Sequence, residues 1–177
     1  MTNILGIVGS LRKDSYNRAL MNAFVKQVPE GVSIQVAEIG DLPLYDQDLE
    51  GDFPATAKAL KEKIENADAI IIATPEYNRS IPGVLKNAID WASRPYGQNS
   101  FKHKPLLVLG TSIGPTAASL AQYDLKKVML YLDAHVVGQP EFFLGNAGEK
   151  FDAGGNLIDK DTVKHIDSAL EILLNTK

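Results

Sequence analysis

Ser10, Arg12, Ser15 and Asn17 crowd into one short stretch, Gly9-Ser-Leu-Arg-Lys-Asp-Ser-Tyr-Asn-Arg-Ala-Leu20, and each carries a hydrogen-bond donor. The apolar run Ile4 to Val8 before it reads as a buried strand. Tyr16, Leu20 and Phe24, four apart, read as one face of a helix after it. A strand-to-helix turn of this composition aims hydroxyls, a guanidinium and unpaired backbone N–H groups at one point, which suits a phosphate monoester better than a bridging pyrophosphate. The same residues also suit a plain helix start, with Ser10 or Ser15 as the cap and Arg12 in solvent. A second polar stretch, Pro75-Glu76-Tyr77-Asn78-Arg79-Ser80, offers backbone amides that can edge a flat heterocycle and an aromatic surface in Tyr77. A third, Gly110-Thr111-Ser112-Ile113-Gly114-Pro115, is a small-residue turn after an apolar run.

The elements that must position these three stretches follow from hydrophobic pattern. Val32 to Ile39 alternates apolar and polar side chains, as an outer strand does, whereas Ala69 to Thr74 and Pro105 to Leu109 are continuously apolar, as strands covered on both faces must be. His135 to Val137 starts a fifth, short strand. Helices are expected from Pro54 to about Asn66, through Val84 to Ala92 after Pro82, and from Thr116 to Ala134 with Leu120, Leu125, Val128, Met129 and Leu132 inward. A closing helix capped by Asp161 carries Ile166, Leu170 and Leu173. Strands alternating with helices predict an α/β fold with a doubly wound parallel sheet in the order 2-1-3-4-5, because parallel neighbours need right-handed helical crossovers. The three polar stretches then fall at the carboxyl ends of strands one, three and four, where such sheets bind ligands.

The totals narrow the chemistry. The 177 residues fit one domain spanning 1–177; 18 basic against 22 acidic side chains give a formal charge of −4, too mild and interspersed for a nucleic-acid or membrane-surface partner. Without cysteine there is neither a disulfide nor thiol catalysis, so redox chemistry needs a bound cofactor. The amino terminus enters the first strand directly and no uncharged run approaches about 18 residues, which predicts a soluble cytoplasmic protein. Neither Gly-x-Gly-x-x-Gly nor Gly-x-x-x-x-Gly-Lys-Ser/Thr occurs, which excludes the common dinucleotide and Walker loops. His103, His135 and His165 lack carboxylates at ligand spacing, so no metal site is expected. Trp91 reads as packing, Tyr77 as either a ring contact or a core or rim aromatic, and Glu76 as either a proton donor or a solvated or paired carboxylate. The acidic stretch Asp46 to Asp52 reads as a solvated loop.

The first stretch, together with Pro-Glu-Tyr-Asn-Arg-Ser-Ile-Pro-Gly-Val-Leu-Lys-Asn-Ala-Ile-Asp-Trp-Ala-Ser-Arg-Pro from Pro75 to Pro95, resembles the NADPH-dependent FMN reductase family, in its quinone and chromate reductase branch. The resemblance continues through Ala121-Gln122-Tyr123, Leu132-Asp133-Ala134, Gln139-Pro140-Glu141 and Lys150-Phe151-Asp152. It implies a flavodoxin-like fold, bound FMN, NADPH or NADH as co-substrate, a small-molecule electron acceptor and a homodimer or homotetramer. Carried over by position, Ser10, Leu11, Arg12, Ser15, Tyr16 and Asn17 would hold the phosphate and ribityl end. Pro75, Glu76, Tyr77, Asn78 and Ser80 would line the isoalloxazine, and Thr111, Ser112, Ile113 and Gly114 would close its other side. No residue is then a dedicated acid or base, since flavin N5 carries the chemistry. The chain departs from the resemblance where many relatives have Gly-Gly-Ala-Arg and it has Ala117-Ala118-Ser119-Leu120, and where they have His-Leu-Arg and it has Asp124-Leu125-Lys126. The expected activity is electron transfer from NAD(P)H to quinones or similar acceptors. The alternative is a flavodoxin-type electron carrier with no direct NAD(P)H reaction.

Overall fold

Six parallel strands form the sheet of the computed structural model, which describes residues 1–176. Strands β1 (Thr2–Val8), β2 (Val32–Ala37), β3 (Ala69–Ala73) and β4 (Pro105–Thr111) run in the order β2-β1-β3-β4. The fifth position is shared by two short strands, β5 (His135–Val136) and β6 (Phe142–Leu144). β5 pairs with Pro105 and Leu106, and β6 with Leu109, Gly110 and Thr111. The order 2-1-3-4-5 is therefore as the pattern predicts and is flavodoxin-like, but its last strand is interrupted. Residues 137–141, which include Gln139-Pro140, loop out between the two pieces, and a proline removes a donor that a continuous ladder would need.

Helices cover both faces. α1 (Tyr16–Gln27) and α6 (Lys160–Asn175) pack on one, sharing a core with Ile71, Leu107 and Leu109; α2 (Ala55–Asn66), α3 (Gly83–Ala92) and α4 (Ser119–Tyr131) pack on the other, around Ile70, Ile72, Leu106 and Val108. β3 is buried along its whole length, which is why its sequence is a continuous apolar run. Its isoleucines each contribute roughly 1.5–3 kcal/mol on burial. In β2, Val32, Ile34 and Val36 pack against the first core while Ser33 and Gln35 face solvent, which gives the alternation seen in the sequence.

Three elements differ from expectation. The long helix begins at Ser119 rather than Thr116, because Ala117 and Ala118 both take left-handed conformations, φ 53° and 60°. Leu120 then falls in its outward-facing first turn and is exposed. The closing helix is capped by Asp159, not Asp161: its carboxylate accepts from the Thr162 N–H at 3.0 Å and also pairs with Lys150 at 2.8 Å. A further one-turn helix, α5 (Ala147–Lys150), follows β6.

The acidic stretch lies at the surface, as expected, while the residues on either side of it are docked. Residues Gln47–Gly51 form a 3-10 turn. The segment before that turn is bound to α3, where Asn87 accepts from the Tyr45 N–H at 2.7 Å while Asn87 and Trp91 both donate to the Pro43 carbonyl, at 2.9 and 2.8 Å. Trp91 is fully buried, with the rings of Tyr45 and Phe53 edge-on to it at 5.0 Å each. It is packing, as its place among apolar helix positions suggested. The carboxylates of Asp46, Asp48 and Glu50 stay at the surface, with Glu50 accepting from the Tyr45 hydroxyl at 2.6 Å.

Candidate active site

The turns after β1, β3 and β4 meet along one edge of the sheet because the ladder continues past the strand ends. The Gly9 N–H donates to Ala73 at 2.8 Å and the Thr74 N–H to Leu109 at 2.9 Å. All three sequence-predicted stretches are thus brought together, although they lie far apart along the chain.

In the first turn, Ser15 caps α1 by accepting from the Arg18 N–H at 3.3 Å, and Ser10 accepts from the Arg12 N–H at 3.4 Å; both serines are buried. The plain-cap reading is therefore correct for Ser15, yet it leaves the rest of the turn open. Leu11 and Arg12 are exposed, and among the described residues Arg12 has no carboxylate within ion-pair distance. The first N–H groups of α1 have no intrahelical acceptor by construction and carry about half a positive charge. Tyr16 is half-buried against Phe151, ring centroids 5.9 Å apart. Asn17 is not an open donor. Its Nδ2 donates to the Thr111 carbonyl at 3.0 Å and its Oδ1 accepts from the Thr111 N–H at 3.1 Å, so one buried amide clamps the first turn to the end of β4.

The second turn is a tight hairpin. Tyr77 and Ser80 exchange two backbone hydrogen bonds, 3.0 and 3.1 Å, around Asn78 and Arg79 at φ 51° and 66°. Two successive positive φ values mark a type I′ turn, here formed without glycine. It thrusts Tyr77 outward, 50 % exposed, at the rim. Glu76 is turned away from solvent: one oxygen accepts from the Leu120 and Ala121 N–H groups at 3.1 and 3.2 Å, and the other lies 3.6 Å from the Arg79 guanidinium. It is paired rather than solvated. Ser80 donates to Asp124 at 2.8 Å, and that hydroxyl, with Lys127, holds the Asp124 carboxyl below its usual range.

In the third turn, Thr111 is buried and its hydroxyl donates to Leu144 at 2.7 Å; the Ser112 hydroxyl donates to Gly114 at 3.0 Å. Ile113 stands 77 % exposed beside them. Two residues to which the sequence reading gave no role of their own support these turns. Gly110 lies so close to the Thr74 carbonyl that a Cβ would come within 2.6 Å of it. Buried Gln122 donates to the carbonyls of Ala117 and Phe142, both at 3.1 Å, which supports the left-handed alanines. A glycine inside a strand and a glutamine on an apolar helix face were the available signals. Among the described residues no three His, Cys, Asp or Glu side chains cluster to hold a metal, and no helix is long and apolar enough to cross a membrane.

Comparison with known proteins shows the family. Residues 2–149 match the family model described as NADPH-dependent FMN reductase. A 2-hydroxy-1,4-benzoquinone reductase of Burkholderia sp is 46 % identical over 165 residues, 93 % of this chain and 90 % of that protein. A quinone reductase of Escherichia coli K12 is 40 % identical over 171 residues, covering 94 % and 90 %. Among solved structures, the flavoenzyme NAD(P)H:(acceptor) oxidoreductase FerB of Paracoccus denitrificans is 42 % identical and superposes with a TM-score of 0.92 over 99 % of this chain and 97 % of that one. The electron-carrier alternative falls away: this chain belongs to the NADPH-dependent FMN reductase family and is an FMN- and NAD(P)H-using oxidoreductase.

Proposed function

We propose that the three turns form one FMN site and that the protein, a single flavodoxin-like domain, passes electrons from NAD(P)H to quinones or similar small acceptors. The observation that carries this reading is the exposed Arg12, without a carboxylate in ion-pair range among the described residues, beside the positive end of α1 and on the same sheet edge as the Pro75–Ser80 and Thr111–Gly114 turns. The donor set fits FMN. Ser10, Leu11, Arg12, Ser15 and Tyr16 receive the phosphate and ribityl end through hydroxyls, backbone N–H groups and a guanidinium, whose charge-assisted bonds are the strong ones. Asn17, its amide engaged with Thr111, positions that turn rather than reaching the phosphate. Pro75 to Asn78 and Ser80 edge one side of the ring and Thr111 to Gly114 the other.

When bound, FMN supplies hydride acceptance and release at N5. The protein's own part is to fix the edge of the ring with backbone donors and to leave one face open. NAD(P)H and the acceptor use that face in turn, a ping-pong order. A hydride and a solvent proton together convert a quinone to its hydroquinone. An open face of this kind also admits chromate, azo compounds and free flavin. Exposed Leu120, Leu130 and Tyr131 on α4 and Tyr96 after α3 suit burial in a homodimer or homotetramer, and a need for NAD(P)H suits the cytoplasm.

The test is FMN titration by calorimetry, with anaerobic NADPH and NADH reduction of the loaded protein. Arg12→Ala is expected to weaken FMN binding by about 1.5–3 kcal/mol, the worth of a charged hydrogen bond. Protein that takes up no FMN, or unchanged affinity in the variant, refutes the cradle. Converging instead of parallel double-reciprocal lines refutes the alternating order.

A further inference from the structure

Nothing within α4 caps its amino end. Ala118 occupies the cap position at φ 60° and has no side-chain acceptor. Leu120 and Ala121 instead both donate to Glu76 Oε2, 3.1 and 3.2 Å away across the molecule, from a side chain only 13 % exposed. One helical turn further on, Ser80 is bound to Asp124. The hairpin Pro75–Ser80 is thus fastened to α4 at both of its ends, and the first fastening is a carboxylate placed on the positive pole of a helix.

We propose that Glu76 is a positioning residue of the flavin site: as a helix cap supplied from another element, it fixes the Pro75–Asn78 edge and, by neutralising the positive end of α4, sets the reduction potential of the bound cofactor. This rests on the FMN reading above. The effect is electrostatic. The amino end of α4 presents about half a positive charge through unpaired N–H groups. That field would favour the electron-rich form of a ring held by the adjoining turns. Glu76 cancels it at the source, and Arg79 at 3.6 Å offsets part of the carboxylate's own charge. The consequence is a lower potential than the bare helix end would give, which favours passing electrons on. Glu76 needs no proton-transfer role for this, and both its oxygens are already engaged.

The experiment has one arm without cofactor and one with it. In the apoprotein, amide exchange at Leu120 and Ala121 is measured by NMR. Glu76→Ala is expected to speed it about tenfold, the scale of a lost cap, while amides in α2 stay unchanged. Unchanged exchange at Leu120 and Ala121 overturns the cap. In FMN-loaded protein, the midpoint potential is measured by dye equilibration. Glu76→Gln, which keeps an acceptor oxygen and loses the charge, is expected to move it to a more positive value; Glu76→Asp, which keeps the charge, is expected to remain near wild type. A Gln variant at the wild-type potential, or an Asp variant shifted as far as Gln, overturns the electrostatic role. If wild-type protein takes no FMN, the site reading fails and the potential claim with it, whereas the exchange arm still decides the cap.

Discussion

Replacing Asn17 by aspartate changes one atom in the clamp between the first turn and β4, and its effect on stability should depend on pH. In the native protein the amide donates to the Thr111 carbonyl and accepts from the Thr111 N–H, at 3.0 and 3.1 Å, in a buried setting. The ionised aspartate side chain would keep the acceptor and lose the donor, leaving a carboxylate oxygen facing a carbonyl. A lost hydrogen bond costs about 1 kcal/mol, and an unpaired buried carbonyl about 1–3 more. The start of α1 favours an anion by about 0.5 kcal/mol, too little to reverse the sign. The net expectation is about 3 kcal/mol of destabilisation at pH 7.5, or roughly 6–12 °C in Tm for a chain of this size. Protonation restores a donor. The folded-state pKa of the new carboxyl is raised above its unfolded value of about 4. The variant therefore loses least below that value, and loses progressively more as pH rises through the raised folded pKa. At pH 3.5 the deficit should shrink to about 1 kcal/mol, the scale of one ordinary hydrogen bond. Urea unfolding of variant and wild type at both pH values measures this, with Asn17→Leu as the pH-independent control. A deficit equal at the two pH values, or below about 0.5 kcal/mol at both, refutes the clamp.

Gly110→Ala should cost about 2 kcal/mol or more, because the new methyl would lie 2.6 Å from a backbone oxygen and 2.8 Å from Gln122 Nε2 and only the side chain can yield; an unchanged urea midpoint would contradict that crowding. Asp159, its carboxyl held down to about 2 by the Lys150 ammonium and then by the Thr162 hydroxyl, contributes stability that is fully present above about pH 4 and is lost as pH falls through 2. Asp159→Asn should therefore be less stable than wild type at pH 7 and indistinguishable from it near pH 2; a difference that persists at pH 2 counts against the pairing.

The parallel sheet was legible because its inner strands are unbroken apolar runs, and nothing but two-sided burial produces Ala69 to Ala73. The ends of elements were less so. Asp159 and Asp161 both precede the last apolar face, and the apolar pattern does not show that Asp159 both receives the Thr162 N–H and pairs with Lys150 on α5. Ala117 and Ala118 look like good helix formers, and the left-handed turn they adopt comes with a Gln122 hydrogen bond to the Ala117 carbonyl and close packing of Ala118 over Gly110, neither of which helix propensity registers. That the three polar turns share one edge of the sheet was legible from residue types and strand order, since polar stretches after apolar runs fall at strand ends. Which donors remain free was not. Asn17, Glu76 and Ser80 look equally available in the sequence, yet each is bound to a residue at least 44 positions away, namely Thr111, Leu120 and Asp124. Aromatic Tyr45 and Phe53 on either side of the acidic stretch were the one hint that its flanks dock.

The packing of Trp91 has an optical consequence. It is the protein's one tryptophan, wholly buried, with its indole N–H on the Pro43 carbonyl and the rings of Tyr45 and Phe53 at its edges. Intrinsic emission therefore reports from the contact between α3 and the Leu42–Phe53 segment, and a shift to the red marks detachment of that segment even while the sheet stays whole. Any melting curve followed at that wavelength describes one flank of the molecule before it describes the fold.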